Sequence, residues 1–353
     1  MDPPQLQPGG PRDRLAAVSP ARAQQPKSLK ITAPAGPGGG YDQLARTLQE
    51  VLMAEKLVTS VQVLNVPGAG GTVGLAGFAN SKERDPALLV AGLGMIGAIN
   101  INKSPVTLDQ VTPLARLQGE YQPLFVAANS PVKTVNDLLA KFKENPGSVS
   151  WGGFAPGSPD HLLSGLVVKA GGGDVKKMNY VPVGTGGEML PLVISGKVTV
   201  ATGGLNEVAG QLKTGRLRAI GISSPERLPG VDIPTFKEQG VDASLVNWRG
   251  LMAPPNLSAE DKRALEETIA KMAKSEAWRK MLEQREWVDL YQPSEVFTAF
   301  VKEEQVRIGA LLKELGLALS IRSHGHDTLG VVWANEGPGP IGAVIKAVIV
   351  LAI

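Results

Sequence analysis

The chain has 353 residues, with 36 basic and 33 acidic side chains and a formal net charge of +3 at pH 7. That length suits two domains with real cores, and the balance of charge excludes the basic surface expected of a nucleic-acid binder. Cysteine is absent, which excludes disulfides and thiol nucleophiles, and no apolar run reaches the length of a membrane span.

Residues 1–27 are rich in Pro, Gly, Arg and Gln without periodicity, the composition of a disordered leader. Within them, Leu15 to Ala23 also reads as the end of an export signal, with Ala21-Arg22-Ala23 as a small-residue cleavage site but no apolar core upstream. Two glycine-rich turns follow. Ala35-Gly36-Pro37-Gly38-Gly39-Gly40-Tyr41-Asp42 lies between a strand-like run, Leu29 to Ala33, and a helix-like run, Gln43 to Met53. Pro67-Gly68-Ala69-Gly70-Gly71-Thr72-Val73-Gly74 lies between Val61 to Val66 and the helix-like Val73 to Asn80. A strand, a bare glycine turn and a helix start make an anion trap. The backbone can approach a ligand, and the first helical N–H groups lack internal partners while carrying the positive end of the helix dipole.

Strand and helix alternate through the middle of the chain. Pro123 to Ala128 reads as a buried strand, Val135 to Glu144 as a helix, and Val149 to Gly152 as a short strand. Ser158 then suits an N-cap, Pro159 the first helical position and Asp160 the dipole. Tyr180 to Val183 is strand-like, and Gly184-Thr185-Gly186-Gly187 opens a helix from Glu188 to Ile194. Val198 to Ala201 and Leu217 to Ile222 are strands on either side of a helix from Leu205 to Lys213. This pattern predicts parallel sheets with helices on both faces, and ligands in such sheets sit at the carboxyl ends of strands. Beyond Leu245 come a strand, Val246 to Pro254, and two long helices. The first starts at Ser258 and runs to about Lys274, the second starts at Pro293-Ser294 and runs to about Leu315, and Trp278, Leu282, Phe297 and Phe300 are core. The stretch from Ser320 to Ile353 is atypical, with His324-Gly325-His326 and a final apolar run from Ile341 that suits an extra strand or helix. Two histidines with no third ligand nearby are weak as a metal site.

Signals for chemistry are thin. The first turn lacks the lysine of a nucleotide P-loop, and neither turn fits Gly-x-Gly-x-x-Gly. There is no Gly-x-Ser-x-Gly elbow. Of three histidines only His161 lies in the body of the chain, so a Ser158–His161 couple is the one candidate for a hydrolase or lyase. Capping accounts for Ser158 without any catalysis, and positioning of the same turn accounts for His161.

From Leu29 to Leu317 the chain resembles the periplasmic solute receptors of tripartite tricarboxylate transporters, the Bug receptor family. The resemblance rests on seven motifs in order. They are Gly39-Gly40-Tyr41-Asp42, Pro67-Gly68-Ala69-Gly70-Gly71, Trp151 to His161, Tyr180 to Glu188, Gly215 to Ile220, Arg227-Leu228-Pro229 with Ile233 to Glu238, and Trp248 to Pro254. Tyr41 stands where a small hydroxyl residue is usual, Val66 where a basic residue is common, and Thr199 where aspartate is frequent.

The resemblance implies an α/β, two-lobe, periplasmic-binding-protein-like clamshell, each lobe a mainly parallel sheet flanked by helices. It closes on a small di- or tricarboxylate and hands it to a membrane permease. Residues 28–127 with 248–318 would form lobe one and 128–247 lobe two, with crossings near Val126 to Pro131 and Leu245 to Gly250, a leader at 1–27 and an atypical tail at 319–353. One ligand carboxylate would meet Gly39, Gly40, Gly70 and Gly71, next to Tyr41, with Asp42 fixing its own helix start or holding a bridging water. Thr72, Ser158, His161, Thr185, Gly186 and Asn206 would face the distal end. The expected protein is a periplasmic monomer with no cofactor, metal or nucleic-acid partner. The residues alone leave open the hydrolase or lyase just described and a degenerate homologue that binds nothing.

Overall fold

Leu29, Ile31 and Ala33 point inward at alternate positions along β1 (Ser28–Ala33), the period that half-buries a strand. Helix α1 (Gly40–Ala54) buries Leu44, Leu48, Val51 and Leu52 at helical spacing against it. The computed structural model describes residues 27–81, 86–184 and 186–317. The leader through Pro26, residues 319–353 and Thr185 therefore lie outside the described residues.

The chain continues through β2 (Ser60–Asn65), α2 (Thr72–Ala79), β3 (Ala87–Gly92), α3 (Leu93–Ile101) and β4 (Thr112–Tyr121). After Gln122 come β5 (Pro123–Ala127), α4 (Val135–Glu144), β6 (Ser150–Gly153), α5 (Pro159–Ala170), β7 (Asn179–Pro182), α6 (Gly186–Ile194), β8 (Val200–Thr202), α7 (Leu205–Lys213) and β9 (Leu217–Ile222). The last part holds β10 (Val246–Ala253), α8 (Ala259–Ala273), α9 (Glu276–Gln284), β11 (Val288–Pro293) and α10 (Ser294–Glu314). The strands form one sheet in the order β11-β4-β10-β3-β1-β2 and a second in the order β7-β6-β8-β5-β9.

Two helix-flanked sheets make the two-lobe α/β clamshell. Both sheets are mixed, however, rather than mainly parallel. In the first, β1 pairs parallel with β2 and β3, while β10 and β11 join antiparallel. In the second, β6 pairs parallel with β7 and β8, while β5 runs antiparallel to both β8 and β9. The antiparallel pairings all involve β4, β5 and β10, the strands beside the passages between sheets, or β11 at the edge. A chain that arrives from the other lobe enters without a βαβ crossover and so is free to run either way.

The first passage lies at Gln122, between β4 of one sheet and β5 of the other, ahead of the Val126 to Pro131 expected. The return runs from the end of β9 to the start of β10. Ser223 fastens the two together. Its backbone N–H donates to Gln122 O (3.1 Å), its hydroxyl accepts from Gln122 N–H (2.9 Å) and donates to Leu245 O (2.7 Å), and its carbonyl accepts from Leu245 N–H (3.2 Å).

Helices α8 and α9 pack Leu265, Ile269, Met272, Trp278 and Leu282 on the first sheet. Ser275 caps α9, a helix absent from the sequence reading, whose first long helix ends at about Lys274. Helix α10 is shared by both lobes. Phe297 packs on Trp248 of β10 with ring centroids 5.7 Å apart, while Leu315, just past the helix end, meets Gly165 of α5. An exposed Lys169–Glu314 ion pair lies beside that second contact.

Candidate functional site

The two glycine turns sit side by side because β1 and β2 are parallel neighbours whose carboxyl ends carry them. Asn65, which sequence reasoning missed, ties them together. Its Nδ2 donates to Ala35 O (3.0 Å) and to Asp42 Oδ1 (2.8 Å). Asp42 is consumed by this frame, since its Oδ2 accepts from Gly38 N–H (2.7 Å) and Arg46 Nε (3.0 Å). Burial opposes its ionisation, but Arg46, Gly38 N–H and Asn65 outweigh burial and hold the carboxyl below its ordinary range. Asp42 thus ties Gly38, Arg46 and Asn65 together at the start of α1.

Gly39 is the N-cap of α1 and Gly40 its first residue. A Cβ on Gly40 would lie 2.2 Å from Arg249 Nη2, so the glycine makes room for a guanidinium at the mouth of the helix. Gly70 (φ +65°) and Gly71 (φ +99°) occupy left-handed conformations that open α2. A Cβ on Gly70 would meet Ala98 of α3 at 2.5 Å, so packing as well as backbone conformation demands glycine there. The Thr72 hydroxyl donates to Ala69 O (3.0 Å) within its own turn. Burial pushes the Tyr41 hydroxyl up to about 12, against the pull of Arg249 and of a backbone hydrogen bond at Met95.

Arg249 and Glu120 were also missed, because the sequence places them far apart on separate strands. Adjacent strands β10 and β4 bring them together as a buried pair, 8% and 7% exposed, with Nη1 to Oε1 at 3.0 Å. Beyond this ion pair Nη1 has no hydrogen-bond partner. Burial works against the Arg249 charge, but Glu120 beside it raises its pKa overall.

The second lobe faces this pair. A methyl group on Gly204, the N-cap of α7, would lie 2.7 Å from Asn206 Oδ1 and 3.6 Å from Glu120 Oε2, so Glu120 reaches across to that helix start. Glu207, in the first turn of α7, lies close to Gly203 and to Gly186 at the start of α6. Its side chain keeps solvent access yet is crowded by protein, as on the wall of a cleft, and this desolvation followed by the charge of Glu120 raises its pKa. The lobes touch where Gly97 of α3 meets Gly157: a Cβ on Gly97 would lie 2.0 Å from Gly157 O.

Ser158 caps α5 by accepting from His161 N–H (3.4 Å). His161 Nδ1 accepts from Gly157 N–H (3.3 Å), and its ring stacks on Tyr180 with centroids 3.8 Å apart. The histidine therefore positions the turn that meets Gly97. Asp160, beside it, accepts from Phe154 N–H (2.8 Å) and from Gln122 Nε2 at the first passage.

Burial moves these two neighbours in opposite directions. It pushes Asp160 up to about 7, aided by the charges of Glu207 and Glu120 and opposed by its two hydrogen-bond donors. It pushes His161 down to about 4. The folded form keeps a proton on Asp160 that the unfolded chain releases, so this contribution is lost as pH rises from about 4 to about 7. The unfolded chain takes up a proton on His161 that the folded form refuses, so that contribution is lost as pH falls from about 6.5 to about 4. The two slopes oppose each other. In His161→Asn only the Asp160 slope remains, and stability should fall by on the order of 2–3 kcal/mol as pH rises from about 4.5 to about 6.5. Melting curves across that range test this; a variant whose profile parallels the parent's disproves it.

The model of the tripartite tricarboxylate transporter family receptor matches residues 44–317. The chain belongs to that family. Protein BugT of Bordetella pertussis is 28% identical over 278 residues, covering 75% of this chain and 83% of BugT. A TctC solute binding protein from Polaromonas, solved without ligand, superposes with a TM-score of 0.65 at 25% identity, covering 81% of this chain and 98% of that one. An R. palustris protein solved with adipate superposes with a TM-score of 0.74 at 22% identity, over 84% and 99% of the two chains. The receptor is thus a tripartite tricarboxylate transporter-type solute-binding protein in fold and family. Among the described residues, no helix is long and apolar enough to cross a membrane.

Proposed function

We propose that this receptor captures a small di- or tricarboxylate in the cleft between its lobes and delivers it, as a periplasmic monomer, to the membrane permease of its transporter. The observation that carries the reading is the pair of adjacent glycine turns, joined by Asn65, with the Arg249 guanidinium packed against the start of α1 at Gly40. First-turn N–H groups and a buried cation together favour one carboxylate at that edge. Gly39, Gly40, Gly70 and Gly71 would line it with Tyr41. Thr72, Ser158, His161, Gly186 and Asn206 would line the remainder. The R. palustris neighbour with adipate supports a carboxylate ligand for this fold.

The receptor has no chemistry of its own in this reading. His161 Nδ1 is engaged by Gly157, Ser158 Oγ is engaged by the helix start, and burial keeps the imidazole a weak base. A thermal-shift screen of small organic acids tests the reading. It should raise the melting temperature for a restricted set of acids, with no turnover of their esters. Ester turnover lost in Ser158→Ala would establish the hydrolase instead, and no shift with any acid would mark a non-binding homologue.

A further inference from the structure

Asp160 belongs to the turn of lobe two that meets lobe one, and it also reaches the passage between the lobes. Gly157, three residues ahead of it, touches Gly97 of α3. The Asp160 carboxyl is 1% exposed and accepts from Phe154 N–H (2.8 Å) and from Gln122 Nε2. Gln122 is in turn bonded to Ser223, which fastens the two passages together. One carboxyl thus joins the start of α5 to the hinge.

A second observation lies on the same amide. Gln122 is 2% exposed, and its Oε1 has no hydrogen-bond partner. An ionised carboxyl only accepts, so it satisfies the amide nitrogen and never the amide oxygen. A protonated carboxyl has one O–H to donate and keeps acceptor capacity, so it suits both atoms of the amide. A buried acceptor without a donor costs stability, and a proton on Asp160 supplies the donor. The surroundings act in the same direction. Burial favours the proton, and so do the charges of Glu207 on α7 and Glu120 on β4. Arg249 of β10 is paired with Glu120. Burial and the charge of Asp160 push the Tyr180 phenol of β7 up, and burial keeps the imidazole of His161 neutral.

We propose that Asp160 and Gln122 form a proton-operated latch at the hinge: with a proton on Asp160 the lobes hold their touching arrangement, and when Asp160 ionises they part. Parting hydrates a carboxylate that burial and like charge disfavour. The sign follows from the two forms. A hydrated Asp160 gives up its proton in the ordinary range near 4, whereas in the touching arrangement it does so at about 7, so pH rising through about 7 draws the lobes apart. In a receptor the latch strengthens capture on the acid side and eases release on the alkaline side. That role rests on the receptor reading above, whereas the latch itself operates without a ligand.

Small-angle scattering of the unliganded protein from pH 5.5 to pH 8.5 tests this. The radius of gyration should increase across that range. Asp160→Asn, which keeps the shape but cannot ionise, should hold the smaller radius throughout. Gln122→Met should show the larger radius already at pH 5.5. Glu207→Gln should keep the transition but move it to lower pH, because one of the charges favouring the proton is gone. All three variants are checked for parental circular dichroism, and Gln122→Met decides the matter if Asp160→Asn does not fold. A parental radius that stays constant with pH overturns the latch and leaves the receptor reading standing, since that reading is tested by the acid screen. A transition that persists in Asp160→Asn, is unaltered in Gln122→Met, or disappears in Glu207→Gln overturns the assignment to Asp160 and Gln122.

Discussion

Replacing Arg249 with methionine should destabilise the protein by about 3–5 kcal/mol, because it leaves Glu120 buried without its cation. For a body of this size that corresponds to a melting temperature lower by roughly 6–15 °C. The methionine would keep most of the packing under Gly40, so the loss reports charge and not volume. Pairing it with Glu120→Gln should restore much of the loss, since an uncharged pair in the same space removes the orphaned carboxylate. Simple addition of the two single effects in the double variant would show that Arg249 and Glu120 are not coupled. The same variant should also lose carboxylate affinity, because the guanidinium is the cation placed against the opening glycine turn.

Changing Gly97 to alanine should weaken ligand binding by roughly 10- to 100-fold while leaving the unliganded fold intact. The added methyl would lie 2.0 Å from Gly157 O, a backbone atom that cannot swing aside. Overpacking of that kind costs about 1–3 kcal/mol, and each 1.4 kcal/mol is tenfold in affinity. On the reading that this contact forms as the lobes close, the cost falls on the closed form. Alanine is also the better helix former, by about 1 kcal/mol, so damage to α3 does not explain a loss of binding. Small-angle scattering with and without ligand is the direct readout: the variant should keep its unliganded radius where the parent contracts. Full affinity and normal contraction in Gly97→Ala would show that the Gly97–Gly157 contact plays no part in closure.

The sequence by itself determined the local machinery. Glycines at 39, 40, 70 and 71 ahead of helices announce the turns, because a left-handed or crowded backbone has few other solutions. Ser158-Pro159-Asp160 announces the start of α5 through capping and dipole chemistry that acts within a few residues. Seven ordered motifs sufficed for the family and hence for the clamshell. The strands β3, β4 and β11 and the helix α3 were not legible. Strand β3 and most of α3 are apolar on every side, and in the all-buried run Ala87 to Gly92 the two-residue period vanishes.

What only the tertiary structure decided is the charge of the cleft and the place of the hinge. Glu120 and Arg249 are more than a hundred residues apart and meet because β4 and β10 are paired. Glu207 belongs to the other lobe and joins them because the chain passes between sheets at Gln122 and returns after Ser223. Periodicity and capping act over one or two turns of chain, whereas the potential in a cleft is a sum over groups brought together by distant strand pairing. For that reason the sequence could point to an anion at the glycine turns, while the Arg249–Glu120 pair and Glu207 came into view only with the fold.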